Sequence, residues 1–218
     1  DVLLGGQGAP LVPMGDFLLF GDYEAALNLG GFSNVSLGSP ILKLGVESAF
    51  DICPVNYVLN YFARELNLPF DKGGKIAASG SINQWVLDEL NSLDYYDEKP
   101  PKSLGAEWVE AHVLSTIDYL LPADALATFC EHIAMQIGAV LANKRTLVTG
   151  GGAWNDYLLE RIRYYGVGLV RPDKDIVNFK EAIIFALLAQ LRIEEKPNVL
   201  GRTTGSGKNH SSGKIFWP

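Results

Sequence analysis

Residues 24–37 read Glu-Ala-Ala-Leu-Asn-Leu-Gly-Gly-Phe-Ser-Asn-Val-Ser-Leu, two apolar segments that meet at Gly30-Gly31. A glycine pair between two such runs predicts a β-hairpin. The segments 41–44 and 46–52 supply the next strand, so three consecutive antiparallel strands are expected. Downstream, 146–149 reads as a short strand, and Gly150-Gly151-Gly152 turns it into a helix over 153–164. A further short strand is expected at 168–170.

Helical patterns fill the spaces between. Pro54 suits a first helical position, and 55–66 carries apolar residues at helical spacing. Further helices are expected over 81–93, 107–120 and 124–141. In the last, Leu126, Phe129, Ile133, Ile137, Val140 and Leu141 mark one face. The segment 178–193 is apolar nearly all round and is expected to be central and buried. Asp94 to Gly105 is polar, contains Pro100-Pro101, and is long enough to be functional. Three antiparallel strands followed by strand–helix–strand–helix is the order of one ribonuclease H-like half of an actin-like ATPase. The expected fold class is therefore α/β, a mixed five-stranded sheet flanked by helices.

Composition narrows the function. The 218 residues include 18 Lys and Arg against 25 Asp and Glu, for a net charge of -7. Such a chain has no basic field for a nucleic-acid backbone and no cluster for an anionic membrane. The longest apolar stretch, 182–191, contains Gln190 and falls far short of the roughly 20 residues of a bilayer span. Two cysteines, Cys53 and Cys130, make no disulfide framework and fit a reducing, cytoplasmic setting.

Four segments carry possible chemistry. The Gly30-Gly31 tip, with Asn34 nearby, can present backbone N–H groups to phosphate oxygens, or it is an ordinary turn. Gly150 to Gly152, between a strand and a helix, allow close approach of a nucleotide, or form a tight connection only. Asp51, near a strand end, projects a carboxylate toward the cleft where such folds bind ligands; it is a general base or a turn residue. Lys102 and Ser103 follow two stiff prolines and either contact a ligand or sit in solvent. Cys53 has no histidine near it in sequence, and His112, His132 and His210 read as structural. Gly205-Ser206-Gly207-Lys208 lacks the spacing and preceding strand of a phosphate loop, and Asp94, Asp97 and Glu98 read as a solvated face rather than a metal site.

Together these segments resemble the anhydro-N-acetylmuramic acid kinase family of actin-like sugar kinases. The resemblance runs in order through Gly5-Gly6-Gln7-Gly8-Ala9-Pro10-Leu11-Val12-Pro13, the Leu27-to-Gly31 hairpin, Phe50-Asp51 and the stretch with Asp71, Gly74, Ala77 and Gly80. It continues through Pro101-Lys102-Ser103, Gly150 to Asn155, Glu181-Ala182 with Phe185-Ala186, and Asn198 with Thr204-Gly205. It implies an enzyme that adds water across the 1,6-anhydro ring of anhydro-N-acetylmuramic acid and transfers the ATP γ-phosphate to O6, with Mg²⁺, in peptidoglycan recycling. Asp51 matches the family's catalytic aspartate. Gly30, Gly31 and Asn34 match the phosphate-binding hairpin, and Gly150, Gly151, Gly152 and Asn155 the adenosine-side loop. Gln7, Gly8, Pro10 and Glu181 match segments lining the sugar cleft. No protein metal ligand is assigned, and a cytoplasmic homodimer is expected.

Two departures stand out. After the catalytic aspartate the family pattern is Thr-Gly-Pro-Gly-Asn, whereas here it is Ile52-Cys53-Pro54-Val55-Asn56. The family's opening Ser-Gly-Thr-Ser and Asp-Gly hairpin has no counterpart, and the chain begins with Asp1 rather than Met. The expectation is a truncated member, with 1–23 a remnant of the first actin-like domain, 24–218 the second, and little kinase activity of its own. The alternative is a non-catalytic actin-like nucleotide-binding or chaperone-like module.

Overall fold

A computed structural model of the chain describes residues 1–38 and 46–216. Five strands form one sheet: β1 (Ala25–Leu29), β2 (Phe32–Gly38), β3 (Val46–Pro54), β4 (Arg145–Thr149) and β5 (Gly168–Val170). Their order is β3-β2-β1-β4-β5. The first two neighbouring pairs are antiparallel, and β4 runs parallel to both β1 and β5. This is the expected ribonuclease H-like topology. The part of the third strand expected at 41–44 lies outside the described residues.

Among the described residues, six helices of eight or more residues flank the sheet. They are α1 (Val12–Phe20), α2 (Asn56–Glu65), α3 (Gln84–Asn91), α4 (Pro122–Leu141), α5 (Asp156–Tyr164) and α6 (Lys174–Ile193). The helix expected over 107–120 is a composite, with a π segment at Val109–Leu114 between short α turns. The main core packs Leu27, Leu29, Val148 and Phe62 with Phe129, Ile133 and Ile137 of α4. A smaller cluster on α1 and α6 joins Met14, Ile184 and Leu188 to Ala49 and Leu200.

Strand alternation decides what each layer sees. Leu27 faces Val148 across the β1–β4 ladder, and both belong to the main core. One residue on, Asn28 pairs with Thr149, and the pleat turns both to the opposite face. That face carries α6, and there the site lies.

Three expectations change. Pro54 ends β3 instead of opening a helix, and α2 starts at Asn56 with Val55 as its cap. Proline is tolerated there because β3 is the sheet edge, where a missing N–H costs no ladder bond. The helix after the glycine run starts at Asp156, because Gly151–Trp154 first makes a 3₁₀ turn. Finally, α6 is not buried all round. Val177, Lys180, Ile184 and Leu188 form its buried stripe, while Phe179 is 56% and Phe185 46% exposed. No helix among the described residues is long and apolar enough to cross a membrane.

Candidate active site

An open pocket of about 570 Å³ lies beside the hairpin. Its walls include Gln7, Gly8 and Pro10 from the N-terminal loop, Asn34 of β2, Asp51 of β3, Lys102 and Ser103, and Glu181 with Phe185 of α6. Residues far apart in sequence are therefore brought to one cavity. A second recess of about 150 Å³ is lined by Asn28, Asn34, Thr149, Gly150, Asn178, Lys180 and Glu181, among others. Asn34 and Glu181 line both, so the two cavities share a wall.

Asp51 is held from three sides. The Leu104 amide donates to its Oδ2 at 3.0 Å, and its own amide donates to the Lys102 carbonyl at 3.2 Å. The Tyr95 hydroxyl donates to its carbonyl at 2.6 Å. Lys102 in turn donates from Nζ to the Tyr95 carbonyl at 2.7 Å and sits 4.3 Å over the Tyr95 ring. Burial pushes the Asp51 carboxyl above its ordinary range, and the Leu104 hydrogen bond works against that shift. A half-buried carboxylate with a raised pKa, open on one oxygen among the described residues, has the character of a general base. Burial pushes the Lys102 ammonium down from its ordinary value.

The N-terminal loop is pinned by Asp1. Its Oδ2 accepts from the Gly8 amide at 2.6 Å and its Oδ1 from Thr204 Oγ1 at 2.7 Å. The Gln7 amide adds a bond to the Thr204 carbonyl at 2.9 Å. These bonds set Gln7 and Gly8 at the pocket mouth.

The hairpin tip is clamped by the start of α2, whose first amides have no partners within the helix. Val55 and Tyr57 donate to the Gly31 carbonyl at 2.8 and 3.1 Å, and Asn56 to the Gly30 carbonyl at 3.1 Å. Asn56 Nδ2 also reaches the Leu29 carbonyl at 3.0 Å. The Gly30 amide closes the turn onto the Phe32 carbonyl at 3.1 Å, so that donor is spent. The Gly31 amide makes no hydrogen bond among the described residues.

Gly150 has φ 83° and ψ 173°, a conformation essentially confined to glycine. A Cβ there would come within 2.5 Å of Asn28 Oδ1 and 2.9 Å of the Leu29 carbonyl. At Gly152 a Cβ would fall 2.7 Å from Leu29 Cβ. Gly150 and Gly152 therefore let the loop close on β1, whereas at Gly151 a Cβ would meet only Asn56 Nδ2, at 3.5 Å.

Compared with known families, the model described as anhydro-N-acetylmuramic acid kinase matches residues 1–218. The chain belongs to the anhydro-N-acetylmuramic acid kinase family. The family's kinase from Cupriavidus pinatubonensis is 36% identical over 235 residues, covering 99% of this chain and 62% of that protein. The kinase from Vibrio cholerae is 34% identical over 239 residues, covering 100% of this chain and 63% of the relative. The chain thus spans less than two thirds of the length of these relatives. A solved structure, the activator of the 2-hydroxyisocaproyl-CoA dehydratase from Clostridium difficile with bound ADPNP, aligns with a TM-score of 0.43 and 14% identity. It covers 75% of this chain and 58% of its own.

Most residues matched to the kinase family's pattern converge. Gln7, Gly8, Pro10, Asn34, Asp51 and Glu181 line the outer pocket, and Gly150 lines the inner recess. Gly30, Gly31, Gly151, Gly152 and Asn155 line neither of these two cavities, and Asn155 Oδ1 caps α5 by accepting from the Leu158 amide at 3.0 Å. The family-atypical stretch 52–55 is core rather than cleft: Ile52, Cys53 and Val55 are all buried. Burial pushes the Cys53 thiol up to about 12, with Ser33 Oγ 3.3 Å from its sulfur. Such a thiol is not a nucleophile. His132 is buried against Tyr96 and Asn91 and burial pushes it down to about 3, so it stays neutral. Among the described residues no group of three or more His, Cys, Asp or Glu could hold a metal ion.

Asn28, Thr149 and Leu104 lie inside the candidate segments without a role of their own in the sequence, and Lys180 and Thr203 lie outside them. The first two carry a legible signal, since each stands beside a glycine motif on an alternating strand. Lys180 carries none, because its partner Asp16 is 164 residues away.

Proposed function

We propose that this chain supplies the catalytic aspartate and the sugar-facing wall of an ATP-dependent kinase acting on 1,6-anhydro-N-acetylmuramic acid, in peptidoglycan recycling. The observation that carries the reading is Asp51, held by the Leu104 amide and sharing one pocket with Asn34, Gln7 and Glu181. Asp51 takes a proton from water, and the hydroxide attacks the anomeric carbon. The bond from that carbon to O6 breaks, and O6 attacks the γ-phosphorus as the bond to ADP breaks. The raised pKa makes Asp51 a stronger base than an exposed carboxylate, and the Leu104 bond orients it.

The phosphate side falls to the hairpin and the glycine loop, with the free Gly31 amide as a donor. Mg²⁺ neutralises phosphate charge when bound. It usually keeps several waters and takes one or two carboxylates, so Glu181 with the Asn28 and Asn34 amide oxygens fits its needs. Both cysteines are free and buried, which fits a reducing cytoplasm.

Calorimetric titration with 1,6-anhydro-N-acetylmuramic acid tests this reading. Saturable binding is expected, retained within about two-fold in Asp51→Asn, while ATP-dependent formation of the 6-phosphorylated sugar, expected to be slight in this chain, is abolished in that variant. Nucleotide binding without sugar binding would support the non-catalytic module instead.

A further inference from the structure

The inner recess contains hydrogen-bonding capacity that the fold does not use. Thr149 is 1% exposed, yet its Oγ1 has no hydrogen-bond partner among the described residues. An unpaired buried hydroxyl costs free energy, so its persistence calls for a partner from outside the chain. Lys180, 5% exposed, lines the same recess. Its Nζ donates to Asp16 Oδ1 at 2.7 Å, the only hydrogen bond it makes among the described residues, although an ammonium has three donors. Ser36 Oγ donates to the other Asp16 oxygen at 2.7 Å, so the carboxylate is fixed and fixes the lysine in turn. Pairing with Asp16 spends much of the lysine's field, so what remains is directed donors rather than net charge.

The position of these donors selects the ligand. Thr149 directly precedes Gly150, and Asn28 faces Thr149 across the β1–β4 ladder. The recess shares Asn34 and Glu181 with the outer pocket. Donors at the junction of a sugar pocket and a nucleotide loop suit the oxygens of the group passing between them. We infer that Thr149 Oγ1 and Lys180 Nζ form a subsite for the terminal phosphoryl group of a nucleoside triphosphate. This rests on the kinase reading and adds two side chains to it.

The test compares ADP with a non-hydrolysable ATP analogue, both with Mg²⁺, by calorimetry on the chain. Thr149→Val keeps the shape and removes the hydroxyl. Its affinity for the triphosphate analogue is expected to fall roughly ten-fold, the scale of one hydrogen bond to a charged group, with ADP affinity unchanged. The paired Asp16→Leu/Lys180→Met variant, which leaves no unpaired charge, should show the same selective loss with its melting transition intact. Equal affinities of wild type and Thr149→Val for the analogue, or equal losses for both nucleotides, would overturn the subsite alone. A wild-type chain that binds neither nucleotide overturns the kinase reading, and the subsite with it.

Discussion

Asn34 and Asp51 stand opposite one another across the antiparallel β2–β3 ladder, and both line the outer pocket. The register shifts by one residue just before them: Ser33 pairs with Cys53, Asn34 with Asp51, and Ile52 is left as the extra residue. A bulge of this kind re-aims the side chains beside it. Here it sets the candidate base next to Asn34, on the strand that leaves the Gly30-Gly31 turn.

Asp51 should trade stability for chemistry. Burial holds its folded pKa above the ordinary carboxyl value, so its favourable contribution is present below that value and is lost as pH rises through the raised one. At neutral pH the ionised carboxylate therefore costs stability. Asp51→Asn is expected to melt higher than wild type at pH 7, with the difference vanishing in acid. In scanning calorimetry, a lower melting temperature for the variant at pH 7 would contradict the burial argument. Where turnover is measured, kcat/KM should fall as pH drops through the raised Asp51 value, with a slope of one proton.

The buried Asp16–Lys180 pair should behave as a unit. Each residue alone leaves the other charged and unpaired in a site where both are about 95% covered. Asp16→Leu or Lys180→Met is expected to cost about 3–5 kcal/mol, and the double variant far less than the sum. Denaturant unfolding of the four proteins measures this coupling, and additive losses would refute it.

Gly150→Ala should separate the glycine loop from β1. The conformation alone costs about 1–3 kcal/mol in a residue with a Cβ, and the contact with Asn28 adds to it. By comparison Gly151→Ala should be tolerated, since its Cβ meets only ordinary contact. Thermal melts of the pair distinguish the two glycines, and equal destabilisation would remove the steric assignment.

The thiols should be silent in the native chain. Cys53 and Cys130 are both buried, and burial pushes both pKa values up. An aromatic disulfide reagent is expected to modify neither at pH 8 and to titrate both after denaturation. Rapid native modification of Cys53 would mean that β3 opens at its edge.

Local chemistry made the fold legible. The Gly30-Gly31 turn, the alternation along β1 and the three glycines after β4 are short-range signals, and each sits where the sequence places it. The lining of the two cavities was legible where its residues adjoin such signals, as Asp51, Asn34 and Gly150 do. Asn155 shows what the pattern leaves open, because a residue after a glycine run serves a ligand or a helix cap with the same side chain, and its Oδ1 caps α5.

The sequence by itself determined the succession of strands and helices and the glycine turns, since pleat and turn geometry depend on neighbours along the chain. Tertiary structure alone decided the rest. Pro54 ends a strand because β3 is an edge, and α6 exposes Phe179 and Phe185 because only one stripe meets the sheet. Lys180, set among apolar residues of α6, is buried because Asp16 reaches it from α1, itself held by Ser36 of β2. A buried charge is stable only beside its partner, and no local pattern records a partner that folding alone brings near.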